Sequence, residues 1–163
     1  MRIAALIHLA LTIELAGCAA PAARTEVMLE VRGASGVAAT AAQLHVRVMG
    51  GAEAAPIASY VPRLDRVFDQ GPEAARLPRR IALVPLDEQP RGYWIEARAE
   101  LADGSEIATA RAIGGYAIGR TVLLPLTIED ACVGVSCDAE QTCDARGACA
   151  DARVDAESLA DLE

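Results

Sequence analysis

Neither lysine nor asparagine occurs anywhere in the 163 residues. Without asparagine there is no Asn-x-Ser/Thr acceptor, so N-linked glycosylation is excluded. All fifteen basic residues are arginine. Together with the abundance of alanine, this reads as GC-rich coding bias and not as a functional signature. Positive charge is also in short supply, with a formal net charge of −8. A chain that binds nucleic acid needs a basic face for the phosphates, so nucleic acid is excluded as a partner.

Catalytic signatures are missing as well. No Gly-x-Ser-x-Gly nucleophile motif occurs, and "GGAEAA" at 50–55 lacks the Gly-Lys-Ser/Thr ending of a phosphate loop. His8 lies in an N-terminal apolar run, and His45 falls on the polar face of an alternating segment. The carboxylates are numerous but scattered, as on a solvated acidic surface. These residues select no reaction, cofactor or metal, and a hydrolase is the weakest reading of the chain. No internal repeat and no convincing amphipathic helix is visible.

What is present begins at the N-terminus. After Met1-Arg2, "IAALIHLALTIEL" is a short apolar run ending at Ala16-Gly17 before Cys18. That is the order of a secretory signal, and it falls short of the roughly twenty apolar residues of a membrane-spanning helix. Leu15-Ala16-Gly17-Cys18 resembles the lipobox of bacterial lipoproteins. The resemblance implies cleavage after Gly17, palmitate-type lipidation of the Cys18 thiol, and a membrane anchor there. By the same family's sorting rule, Ala19 in place of aspartate points to the outer membrane of a Gram-negative cell. It also accounts for an odd cysteine count: of five cysteines, removing Cys18 for lipid leaves an even set for disulfides. Residues 18–24 then form a small-residue spacer, and one small domain is expected to follow.

From residue 25 the hydrophobic period is two, the mark of half-buried strands. Val27, Leu29 and Val31 alternate with charged residues, as do Leu44, Val46 and Val48 with His45 and Arg47. Residues 50–78 are interrupted by Pro56, Pro62, Pro72 and Pro78, so only loops and edge strands are expected there, with a short strand near 57–61 or 64–68 at most. "RRIALVPL" at 79–86 alternates again. "YWIEARAEL", "ADGS" and "EIATARAI" make the clearest hairpin, since Asp-Gly between alternating runs is a strong turn signal. Counting back from Leu101 opposite Glu106 places Glu96 opposite Arg111 and Trp94 opposite Ile113. Val122, Leu124, Leu126 and Ile128 share one face of a last strand. Six or seven strands over 25–130 predict an all-β fold, an antiparallel β-sandwich of immunoglobulin-like or transthyretin-like type, followed by a small disulfide-rich tail.

Cys132, Cys137, Cys143 and Cys149 are separated by four, five and five residues. That spacing contains no Cys-x-x-Cys zinc knuckle, and in an exported protein disulfides are favoured. Three connectivities are possible. Pairing neighbours would close two small rings that constrain little chain. Interleaved pairing closes two overlapping loops that approach the ~15-residue size for which chain entropy predicts about 3 kcal/mol. The acidic stretch 151–163 is expected to be a solvated, disordered tail, the other reading being a short helix over 155–162.

Residues 78–128 resemble the transthyretin-like and immunoglobulin-like sandwich modules of bacterial envelope proteins, including lipoproteins that join such a sandwich to a cysteine-rich tail. The resemblance implies a fold and no catalytic residue. "CVGVSCDAEQTCDARGAC" at 132–149 resembles the first half of an EGF-like module, which implies pairing of first cysteine with third and second with fourth. Ile128-Glu129-Asp130 does not match that module's calcium pattern. Trp94 shares a face with Glu96, Arg98 and Glu100. There it is a candidate ligand contact, stacking on a sugar or a partner side chain; the other reading has it covering a sheet edge or turned inward by a bulge. The expected function is that of a non-catalytic, lipid-anchored interaction or structural module of the cell envelope, its partner an envelope protein or polysaccharide. A carbohydrate-binding module using Trp94 is the alternative.

Overall fold

The alternating segments become strands. The structure, a computed structural model, describes residues 24–52, 61–68, 77–85 and 91–162. In chain order the elements are β1 (Glu26–Gly33), α1 (Ser35–Thr40), β2 (Gln43–Ala52), β3 (Val61–Phe68), β4 (Arg79–Leu83), β5 (Arg91–Glu100) and β6 (Glu106–Gly114). They continue with β7 (Thr121–Ile128), β8 (Gln141–Cys143), β9 (Cys149–Asp151) and β10 (Ala160–Asp161). One four-stranded sheet has the order β10-β7-β1-β4, another β3-β2-β5-β6, and β8 and β9 form a separate ribbon.

The expected all-β sandwich forms, with one departure from antiparallel pairing. β1 and β7 run parallel, from Glu26 opposite Thr121 to Gly33 opposite Ile128. An immunoglobulin constant-type sandwich groups its first, second, fourth and fifth strands in one sheet. Here the first and fourth join the seventh, and the second and fifth join the third and sixth, which sets the immunoglobulin variant aside. β3 is an edge strand carrying Pro62, as expected of the proline-rich stretch, but it runs unbroken over Val61–Phe68 where only a short strand near 57–61 or 64–68 is expected; 57–60 lie outside the described residues.

Period two also fixes the core. Val27, Leu29 and Val31 of β1 and Val122, Leu124, Leu126 and Ile128 of β7 share one buried cluster with Leu44 and Val46 of β2 and with Tyr93, Ile95, Ala97 and Ala99 of β5. Each such Val, Leu or Ile contributes about 1.5–3 kcal/mol relative to an exposed one. Tyr93 stacks edge-on against Tyr116, with ring centroids 5.5 Å apart. Gly114 makes room for it, because a Cβ there would come within 2.7 Å of the Tyr93 hydroxyl oxygen.

The β5–β6 hairpin has the register expected over most of its length: Trp94 lies opposite Ile113 and Glu96 opposite Arg111. Near the turn it differs. The pairing shifts between Ala99 and Glu100, so Glu106 faces Glu100 and not Leu101. The Leu101 N–H donates to the Ser105 carbonyl at 2.8 Å, closing a three-residue loop with Gly104 at φ 84°, the turn-plus-bulge form of a hairpin. Leu101 is consequently exposed, although alternation from Trp94, Glu96, Arg98 and Glu100 would put it on the opposite, inward face.

α1 is not expected from the hydrophobic pattern. It is six residues long and buries Val37, and its N-terminal amides are satisfied from far along the chain. Asp130 accepts from the Val37 N–H at 2.7 Å and from the Gly36 N–H at 3.0 Å. These bonds hold the Asp130 carboxyl below the usual aspartate range, the Gly36 amide contributing most. Glu30 of β1, almost fully buried, is ion-paired with Arg80 across the β1–β4 pair and with Arg32 beside it. Both arginines hold its carboxyl below the usual glutamate range, Arg80 first.

The parallel β1–β7 pair gives the sandwich two distinct ends. At the entry end, Thr25 accepts from the Gly119 N–H at 2.8 Å, and the Glu26 N–H donates to the Arg120 carbonyl at 3.0 Å. At the far end lie α1, the Leu101–Ser105 turn and Asp130, the Ala42 N–H donating to the Glu100 carbonyl at 2.9 Å.

Candidate functional site

After β7 the chain enters a short 3-10 turn, Asp130–Cys132, and then the cysteine module. Its disulfides are Cys132–Cys143 and Cys137–Cys149, the interleaved pattern. β8 and β9 pair with Cys143 opposite Cys149. Asp144 ties the turn between them, accepting from the Ala148 and Arg146 amides at 3.0 and 2.9 Å. The Arg146 guanidinium, and after it these amides, hold the Asp144 carboxyl below the usual range.

The module is docked on the outer face of β5 and β6. Arg111 is the hub. Its Nη2 lies 2.8 Å from Glu96 Oε2, and its Nη1 donates to the carbonyls of Cys137 at 3.2 Å and Gln141 at 3.4 Å. The Arg111 N–H donates to Thr142 Oγ1 at 3.0 Å. A residue that alternation identifies only as one half of a cross-strand ion pair therefore also supports four module residues, Cys137, Asp138, Gln141 and Thr142. Nothing local in the sequence marks it for that second task.

Trp94 stands on the outer face, as alternation predicts, but it is not open to a ligand. It is 4% exposed, packed with Ile113, Ala152 and Met49, and its Nε1–H donates to the Ala139 carbonyl at 2.9 Å. Of the two readings of Trp94, the candidate ligand contact is not met: the chain's own C-terminal segment occupies the face where a sugar would stack. His45 is likewise engaged, its Nδ1 accepting from Arg98 Nη2 at 2.9 Å.

Residues 152–162 are ordered, contrary to the expected solvated tail. The Ile113 N–H donates to the Ala152 carbonyl at 2.8 Å and the Val154 N–H to the Ile113 carbonyl at 2.8 Å, so this segment lies along the edge of β6. It then makes a 3-10 turn, Ala156–Ser158, and adds β10 antiparallel to β7, with Asp161 opposite Val122. The acidic composition is explained here: Asp161 and Glu157 pair with Arg120 at 2.7 and 3.0 Å. The tail thus crosses from the β6 edge of one sheet to the β7 edge of the other and covers one edge of each, a standard safeguard against edge pairing.

One outward face of the module is polar. Asp138, Glu140, Gln141, Asp151 and Arg153 line an open groove of about 430 Å³, with Arg153 bridging Glu140 at 2.7 Å and Asp151 at 3.3 Å. Small-molecule sites are enclosed and mostly apolar, so this groove fits contact with a polar macromolecular surface better than capture of a small ligand. Among the described residues, no group of three or more His, Cys, Asp or Glu side chains is placed to hold a metal ion, and no helix is long and apolar enough to cross a membrane. Cys18 lies outside the described residues. No family model, curated protein or solved structure matches the chain.

Proposed function

We propose that this protein is a lipid-anchored component of the cell envelope, in which a β-sandwich with a cysteine module fixed to its flank serves as a non-catalytic interaction or structural module. The observation that carries the reading is the pair of disulfides. Disulfides persist in oxidising compartments, and they use every cysteine except Cys18, the thiol of the lipobox-like Leu15-Ala16-Gly17-Cys18. The contact surface is the polar groove of the module and not Trp94, whose burial withdraws support from the carbohydrate-binding alternative. The partner is an envelope protein or polysaccharide with a mixed-charge surface, and the anchor at Cys18 raises its local concentration.

Cells expressing the chain should incorporate labelled palmitate, and Cys18→Ala should abolish the label; undiminished labelling of that variant removes the anchor from the reading. Affinity capture from solubilised membranes tests the groove. A partner retained by the wild type and lost with Arg153→Glu supports it, whereas recovery of the protein alone counts against an interaction role.

A further inference from the structure

The described residues include four exposed large hydrophobic side chains, and the two most exposed are Ile118 at 69% and Val84 at 62%. Both lie at the entry end. Ile118 precedes Gly119, whose N–H donates to Thr25 at 2.8 Å. Val84 follows Leu83, which pairs with Val27, so it flanks Glu26 from the other side of β1. β4 and β7 are the two neighbours of β1, which sets them about 10 Å apart. Two apolar side chains therefore bracket the point where the chain enters the fold.

Six residues, 19–24, separate Cys18 from Thr25, and at about 3.3–3.6 Å per residue this link spans at most about 25 Å. The acidic C-terminal segment reaches the same end, but its Asp161 and Glu157 are ion-paired with Arg120, which lessens its repulsion from an anionic surface.

We propose that the Val84–Ile118 end rests against the lipid leaflet that holds the Cys18 acyl chains, so that the sandwich stands end-on. α1, the Leu101–Ser105 turn and Val133, which follows the far-end 3-10 turn, then point away from the membrane. This rests on the lipid-anchor reading. The short link delivers the entry end to the interface, and the two exposed apolar side chains lose water there.

The test uses the full lipidated chain in phosphatidylethanolamine and phosphatidylglycerol vesicles that carry doxyl-labelled phosphatidylcholine. Ile118→Trp, Val84→Trp and Val133→Trp are each compared with the wild type, whose only tryptophan is buried. Added fluorescence should be quenched by the doxyl lipid for Ile118→Trp and Val84→Trp and left unquenched for Val133→Trp. Flotation of the same vesicles separates the two ways of failing. Protein that floats but shows no quenching at position 118 or 84, or equal quenching at 133, overturns the end-on placement alone. Wild-type protein that floats no better than Cys18→Ala overturns the anchor and the placement with it.

Discussion

Arg111 Nη2 lies 2.8 Å from Glu96 Oε2 while its Nη1 lies 3.2 Å from the Cys137 carbonyl oxygen. One guanidinium thus joins the β5–β6 strand pair to the disulfide module. Both side chains are largely shielded, at 17% and 12% exposure, so removing the cation leaves a shielded carboxylate and several carbonyls unpartnered. Arg111→Met should cost about 2–3 kcal/mol, read as a lower urea midpoint. Amide exchange at 138–142 should quicken more than exchange in β1. Unchanged exchange in the module would show that Arg111 serves the strand pair only.

Trp94 is the sole tryptophan, so its emission reports on the docked face directly. Trp94→Phe keeps most of the apolar contact with Ile113 and Ala152 but loses the bond to the Ala139 carbonyl, a loss of about 1–2 kcal/mol. Trp94→Ala also empties the site and should cost about 3–5 kcal/mol. Emission of the wild type should be blue-shifted and insensitive to added mono- and oligosaccharides. Saturable quenching by a sugar would restore Trp94 as a binding residue.

Short-range pattern carried most of the sandwich. Alternation located the strand cores and the inward row through Ala99, and Asp103-Gly104 marked the hairpin turn. The Glu96–Arg111 register followed from counting back along that hairpin. What stayed hidden depends on partners distant in sequence. α1 is held by Asp130, more than ninety residues away. The parallel β1–β7 pair joins opposite ends of the domain and leaves no local trace. Trp94 was placed on the right face, yet its burial is decided by residues 139 and 152. The tail is hidden for the same reason: Asp155 to Asp161 look like solvated acid until Arg120 and the free edge of β7 are known. Leu101 failed locally, because the G1-type turn breaks the alternation one residue before the pattern would end.

Acid should weaken the α1 anchorage in a defined direction. Asp130 is held below its usual value by the Gly36 and Val37 amides, so on acidification the unfolded chain takes up the proton first. The stabilisation is complete above about pH 5 and is lost as pH falls through the depressed folded value. Asp130→Asn lacks the charge, so its melting temperature should lie below that of the wild type at neutral pH and converge with it on acidification. A gap that stays constant to about pH 2 would assign the difference to packing, since ionisation of a carboxylate cannot produce it.

The two disulfides should open in order. Cys132 and Cys143 are buried, at 1% and 6% exposure, whereas Cys149 is exposed at the module surface. Thiol–disulfide exchange requires the attacking thiolate to reach a sulfur, so a mild reductant meets Cys137–Cys149 first. The sequence separations are 11 and 12 residues, near-equal loops that the entropy model values alike at a little under 3 kcal/mol each, or about 3 kcal/mol for fifteen residues. Access and not loop size therefore sets the order. Opening Cys137–Cys149 frees the segment that carries Ala139, so Trp94 emission should shift to the red with this first step, before Cys132–Cys143 is lost. Timed alkylation followed by peptide mapping should find the first pair of labels on Cys137 and Cys149. First labels on Cys132 and Cys143 would overturn the argument from access, and an emission change that waits for the second reduction would mean that the buried bridge alone holds the module on the sheet.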